Sequence, residues 1–109
     1  MDQRADLYAL AAITYRCLTG HLPFRAKDVP TILYNVVYDM PVRPSALVEV
    51  PPDIDDFLLI AMAKARDNRF QTADELAASL EDAMRGRLSA ALRERARELA
   101  QQHPWRPIS

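Results

Sequence analysis

The chain has 109 residues, half of them hydrophobic, so it holds enough apolar material for one modest domain and too much to stay disordered throughout. Its 14 basic and 15 acidic residues leave a formal net charge of -1, which sets up no field to gather nucleic acid or an anionic lipid surface. The single cysteine, Cys17, excludes an internal disulfide and a cysteine-based metal cluster, and a reduced, cytoplasmic setting is expected.

Residues 7–18 contain only Thr14 and Arg16 as clearly polar side chains, so the first helix reads as apolar nearly all round. Such a helix belongs at the centre of a core or in a membrane. It falls short of the roughly 20 apolar residues of a span, so no membrane segment is expected and central burial is. On this reading Cys17 is a small core residue and Gly20 ends the helix. The acidic start Met1-Asp2 does not resemble a signal peptide. After a turn over residues 21–24, the Asp28 carboxylate can cap a second helix that accepts Pro30 in its first turn and stops before Pro41. Its stripe is Ile32, Leu33, Val36 and Val37, with Tyr34 and Tyr38 beside it.

Residues 41–52 hold Pro41, Pro44, Pro51 and Pro52 without a glycine, and the expectation is an extended connector with no helix. Asp53 then caps a third helix with Ile54, Phe57, Leu58, Ala61 and Met62 inward, ending near residues 64–66. Thr72 and Glu75 form a capping box that opens a fourth helix, in which Leu76, Leu80 and Met84 face the core. Residues 87–102 complete the series with Leu88, Leu92, Ala96 and Leu99 on one face. The arginines between residues 85 and 97 alternate with Glu81, Asp82, Glu94 and Glu98, the pattern of a solvated, salt-bridged face. Strand signals are weak everywhere, so the expected class is all-α with about five helices.

Nothing in the chain assembles a catalytic constellation. His21 and His103 have no helical histidine partner and read as turn residues, and no serine sits in a nucleophile elbow. Two ordered blocks carry more specific information. The first is Asp2-Gln3-Arg4-Ala5-Asp6-Leu7-Tyr8-Ala9-Leu10, followed by Leu18-Thr19-Gly20 and Pro23-Phe24. The second is Lys64-Ala65-Arg66-Asp67-Asn68-Arg69-Phe70-Gln71-Thr72.

Together they resemble the part of bacterial Ser/Thr protein kinases that runs from the F helix to the last helix of the C-terminal lobe. The resemblance covers residues 1–80, with 81–109 as the end of the last helix plus a helical extension and tail. Two positions depart from the pattern: Ala11 stands where the family usually has glycine, and Arg66 where it usually has proline. The resemblance implies structural roles for Asp6, which would accept hydrogen bonds from the catalytic-loop backbone, and for Arg69, which would pair with the glutamate of an Ala-Pro-Glu motif. It also makes residues 28–40 the G helix, a docking surface built from Ile32, Tyr34, Val37 and Tyr38.

Phosphoryl transfer needs a glycine-rich loop, a strand lysine, a catalytic aspartate and a metal-binding aspartate, and this chain has none of those motifs. No catalytic, cofactor-binding or metal-binding residue is therefore expected in the chain; ATP and magnesium belong to the complete kinase domain. The expected role is a scaffold and substrate-docking portion, inactive alone, in a signalling kinase. Its expected partners are a protein substrate or the N-terminal kinase portion. A free-standing helical interaction module or a non-catalytic kinase remnant is the alternative. Without the glutamate in the same chain, Arg69 is expected to be an uncompensated charge.

Overall fold

The computed structural model describes residues 3–24 and 28–107, with the side chains of residues 3–5 and 37 outside the described set. Asp2 of the first block and the Val37 side chain therefore lie outside the described residues. Among the described residues six α-helices follow one another: α1 (Gln3–Thr19), α2 (Val29–Tyr38), α3 (Pro44–Leu47), α4 (Pro52–Ala61), α5 (Ala73–Met84) and α6 (Ala90–Gln102). A 3-10 turn, Arg66–Asn68, lies between α4 and α5. Among the described residues the only β pairing is an isolated parallel bridge between Val42 and Arg106. The class is all-α, as the sequence indicates.

Local chemistry explains most of the boundaries. Gly20 adopts φ 74°, a left-handed conformation open to glycine without a Cβ penalty, and stops α1. The Asp28 carboxylate accepts from Thr31 N at 2.8 Å, which holds it well below the usual carboxylate range and fixes the start of α2. Thr72 Oγ1 accepts from Glu75 N at 3.0 Å, while Glu75 Oε1 reaches back one residue beyond the cap to accept from Gln71 N. Ser89 caps α6 by accepting from Leu92 N, so that helix begins later than residue 87.

Two expectations fail for long-range reasons. The proline-rich connector contains a one-turn helix, α3, because Pro44 has a φ suited to a helix start and the distant Asp55 supplies the cap. Asp55 accepts from Ser45 N at 2.9 Å and from Ser45 Oγ at 2.6 Å. Asp53, in turn, does not cap α4; Pro51 holds that position without a side-chain bond. The Asp53 carboxylate instead accepts from Leu88 N at 3.0 Å and from Arg93 Nε and Nη2 at 3.0 and 2.9 Å. These bonds tie the first turn of α4 to α6 and hold the carboxyl below its ordinary range.

The centre of the molecule is α4. Ile54, Phe57, Leu58, Leu59, Ile60 and Ala61, with Met62 and Ala63 beyond, are all buried, and α1, α3, α5 and α6 pack around this helix. Phe57 stacks on Phe70 with ring centroids 5.4 Å apart. By contrast the buried residues described on α1, Leu7, Ala11, Tyr15 and Thr19, form one stripe at four-residue spacing. Leu10, Ile13 and Cys17 are exposed, Ile13 to 61%, which corrects both the expected central burial of α1 and the core assignment of Cys17. An all-round apolar helix with one covered stripe lacks covering protein on its other faces. On α5, Leu76, Ser79 and Ala83 face inward, and Met84 is 48% exposed because the stripe has drifted around the helix by its last residue.

Candidate functional site

Two features gather the residues singled out by sequence: a cationic cluster around Arg69, and the outer face of α2. Arg69 follows the 3-10 turn, half-buried, and lies with its guanidinium carbon 4.6 Å from the centroid of the Tyr8 ring. Its Nε donates to Ala63 O at 2.7 Å and an Nη donates to Lys64 O at 3.3 Å. The charge is thus engaged by the carbonyls just after α4 and by an aromatic face. This corrects the expectation of an uncompensated arginine: carbonyl dipoles solvate it from within the chain. Asp6 is exposed in the first turn of α1, where a carboxylate suits the helix dipole.

Sequence reasoning missed Lys64 and Tyr8. Lys64 Nζ donates to Val36 O at 2.8 Å and to Asn35 O at 3.4 Å in the last turn of α2. It stands over the Phe24 ring at 5.2 Å and the Tyr8 ring at 6.0 Å. Burial pushes the amine down to about 8; nearby Asp39 opposes the shift and Arg69 reinforces it. Burial pushes the Tyr8 phenol up to about 12, against the pull of Arg69. The available signal was positional, since Lys64 opens the same short block that carries Arg69.

On α2, Tyr34 and Tyr38 are exposed and their rings meet at 4.8 Å between centroids. Ile32 is half-buried. Leu33, placed on the expected inner stripe, is 59% exposed, and Asn35 is buried in its place. Leu33 therefore joins Val29, Tyr34 and Tyr38 on an open apolar face whose helix carries no charged side chain.

Among the described residues a small cavity of about 50 Å³ lies between the end of α4 and α6, and wider, more open clefts of about 440 and 390 Å³ lie beside Trp105. Among the described residues no group of three or more His, Cys, Asp or Glu is placed to hold a metal ion. Among the described residues no helix is long and apolar enough to cross a membrane.

Comparison with known proteins decides the relationship. The serine/threonine-protein kinase PknB of Mycolicibacterium smegmatis is 41% identical over 81 residues, covering 73% of this chain. The chain is homologous to bacterial serine/threonine-protein kinases. The kinase PknD of Mycobacterium tuberculosis is 40% identical over 83 residues, 74% of the chain, and a probable serine/threonine-protein kinase of Corynebacterium efficiens is 36% identical over 97 residues, 84% of the chain. The chain spans only 13%, 12% and 15% of the length of these relatives, respectively, and matches a C-lobe segment of such kinases. No protein-family model matches it.

Proposed function

We propose that this chain is the scaffold and substrate-docking portion of a Ser/Thr protein kinase domain and performs no phosphoryl transfer alone. The observation that carries the reading is the 41% identity to the PknB segment. The placement of Arg69 against Tyr8 is compatible with it, because it joins the two sequence blocks of the resemblance in one cluster. In the complete domain, ATP and magnesium are held by the N-terminal portion, Asp6 and Arg69 brace the catalytic and activation segments, and the target protein meets α2. The exposed faces of α1 are then the seat of the rest of the lobe, since apolar patches of this kind mark a missing partner.

A chimera tests the proposal. Substituting this chain for the matching segment of the M. smegmatis kinase should preserve Mg-ATP-dependent phosphorylation, while calorimetry on the chain alone should show no saturable Mg-ATP binding. A chimera that folds cooperatively yet transfers no phosphate would favour the alternative, a helical interaction module. Leu33→Asp within an active chimera should raise KM for a protein substrate and leave ATP turnover unchanged.

A further inference from the structure

Three cations form a line through the molecule, and each donates to the backbone that carries the next. Arg95, on α6, donates through Nη2 to the carbonyls of Asn68 and of Arg69 itself, the latter at 3.1 Å. Arg69 donates to the carbonyls of Ala63 and of Lys64 itself. Lys64 closes the line on the carbonyls of Asn35 and Val36. A side chain gripping the carbonyl of the next cation fixes where that cation starts, so an error in one link is passed to the following one.

The last link has weight because α2 is lightly held elsewhere. Of its described side chains only Asn35 is buried, whereas Val29, Leu33, Tyr34 and Tyr38 are open. Among the described residues, the long-range hydrogen bonds that reach α2 are the two from this ammonium, beside the half-buried Ile32 and Val36. We propose that Arg95 is a positioning residue that sets the seat of α2, acting through Arg69 and Lys64. The C-terminal helix, beyond the two kinase-like blocks, thereby governs the face that those blocks suggest for docking. The coupling needs no substrate; its consequence for docking rests on the reading given above.

The test is NMR on the 109-residue chain. The Arg69 Nε–H signal should be shifted upfield by the Tyr8 ring, and the Asp39 amide, which donates to Asn35 O at 2.8 Å, reports the last turn of α2. Arg95→Met should move the Arg69 signal toward that of a free guanidinium and speed Asp39 exchange about tenfold or more. The His103 amide, bonded to Leu99 O, should stay protected. Arg95→Lys should restore both signals, because a single nitrogen serves both carbonyls. Arg97→Ala, whose side chain bonds Glu94, should change neither.

An Arg95→Met protein with both reporters unchanged, or an Arg95→Lys protein no better than Arg95→Met, would overturn the proposal. If Arg95→Met also deprotects His103, Lys64→Met decides. It should release Asp39 and leave the Arg69 signal in place; an unchanged Asp39, or a displaced Arg69 signal, would refute the relay.

Discussion

Replacing Asp53 by alanine should weaken the fold far more than its place in a helix's first turn suggests. Asp53 is 7% exposed, and its carboxylate accepts three hydrogen bonds, one from the amide of buried Leu88 and two from Arg93. Alanine leaves the Leu88 N–H buried without that acceptor, which costs about 1–3 kcal/mol. Arg93 is half-exposed and turns back to water, so its lost pairing adds little. For a chain of this size the expected fall in Tm is about 4 °C per kcal/mol. Urea titration should show a lower midpoint with an unchanged slope. Asp53→Asn keeps one acceptor oxygen and should lose less. Because the folded-state pKa of Asp53 is depressed, its contribution is complete above the unfolded value and disappears as pH falls through the folded one, so the gap between wild type and Asp53→Ala should close in acid. A loss below about 0.5 kcal/mol at pH 7, or an Arg93→Ala variant as damaged as Asp53→Ala, would refute the assignment of the main effect to the buried amide.

Arg69→Ala should destabilise this chain by about 1–3 kcal/mol, through loss of its carbonyl bonds and its seat on Tyr8; an unchanged urea midpoint would count against that grip. Phe57→Ala, at a site with no exposure and stacked on Phe70, should cost about 3–5 kcal/mol by the same measurement. On the alkaline side, the folded chain releases the Lys64 proton near pH 8 and the unfolded chain near its ordinary value of 10.5, so the unfolded state holds more protons between them and stability rises with pH. Tyr8 and Tyr15, both pushed up to about 12 from 10.0, act oppositely above pH 10, and urea midpoints collected from pH 7 to 11.5 should therefore pass through a maximum. Lys64→Met should abolish the rise and keep the fall.

The features legible in the sequence were those whose partners lie within a turn or so. Asp28 and Thr72 bond amides three residues away, and both helix starts were readable from residue type alone. Asp55 and Asp53 have the same capping chemistry, but they bond residues 10 and 35 positions distant. Nothing in the local pattern separates the two cases. Burial was legible where both sides of a helix are covered, as on α4, and misread on α1, where residue type reports a need for cover and not its presence. The placement of Asn35 inward and Leu33 outward was hidden for the same reason, since residue type does not report which face of a helix is covered. At the candidate site, the resemblance made Arg69 readable as a residue to single out. Its acceptors were not, because every residue carries a carbonyl and sequence does not mark which ones converge.

The order of helices around α4 also bears on how the chain is made. A ribosome delivers α1 before α4, which follows only about 40 residues later, and at the usual 5–20 residues per second that is a delay of about 2–8 s. During that interval α1 has no α4 to pack on, whereas α5 and α6 emerge beside a helix that already exists. Within this stretch, α1 thus waits longest for the helix it packs on. Slowing translation between α1 and α4 should lower the soluble yield, while the same pause placed after α4 should be harmless.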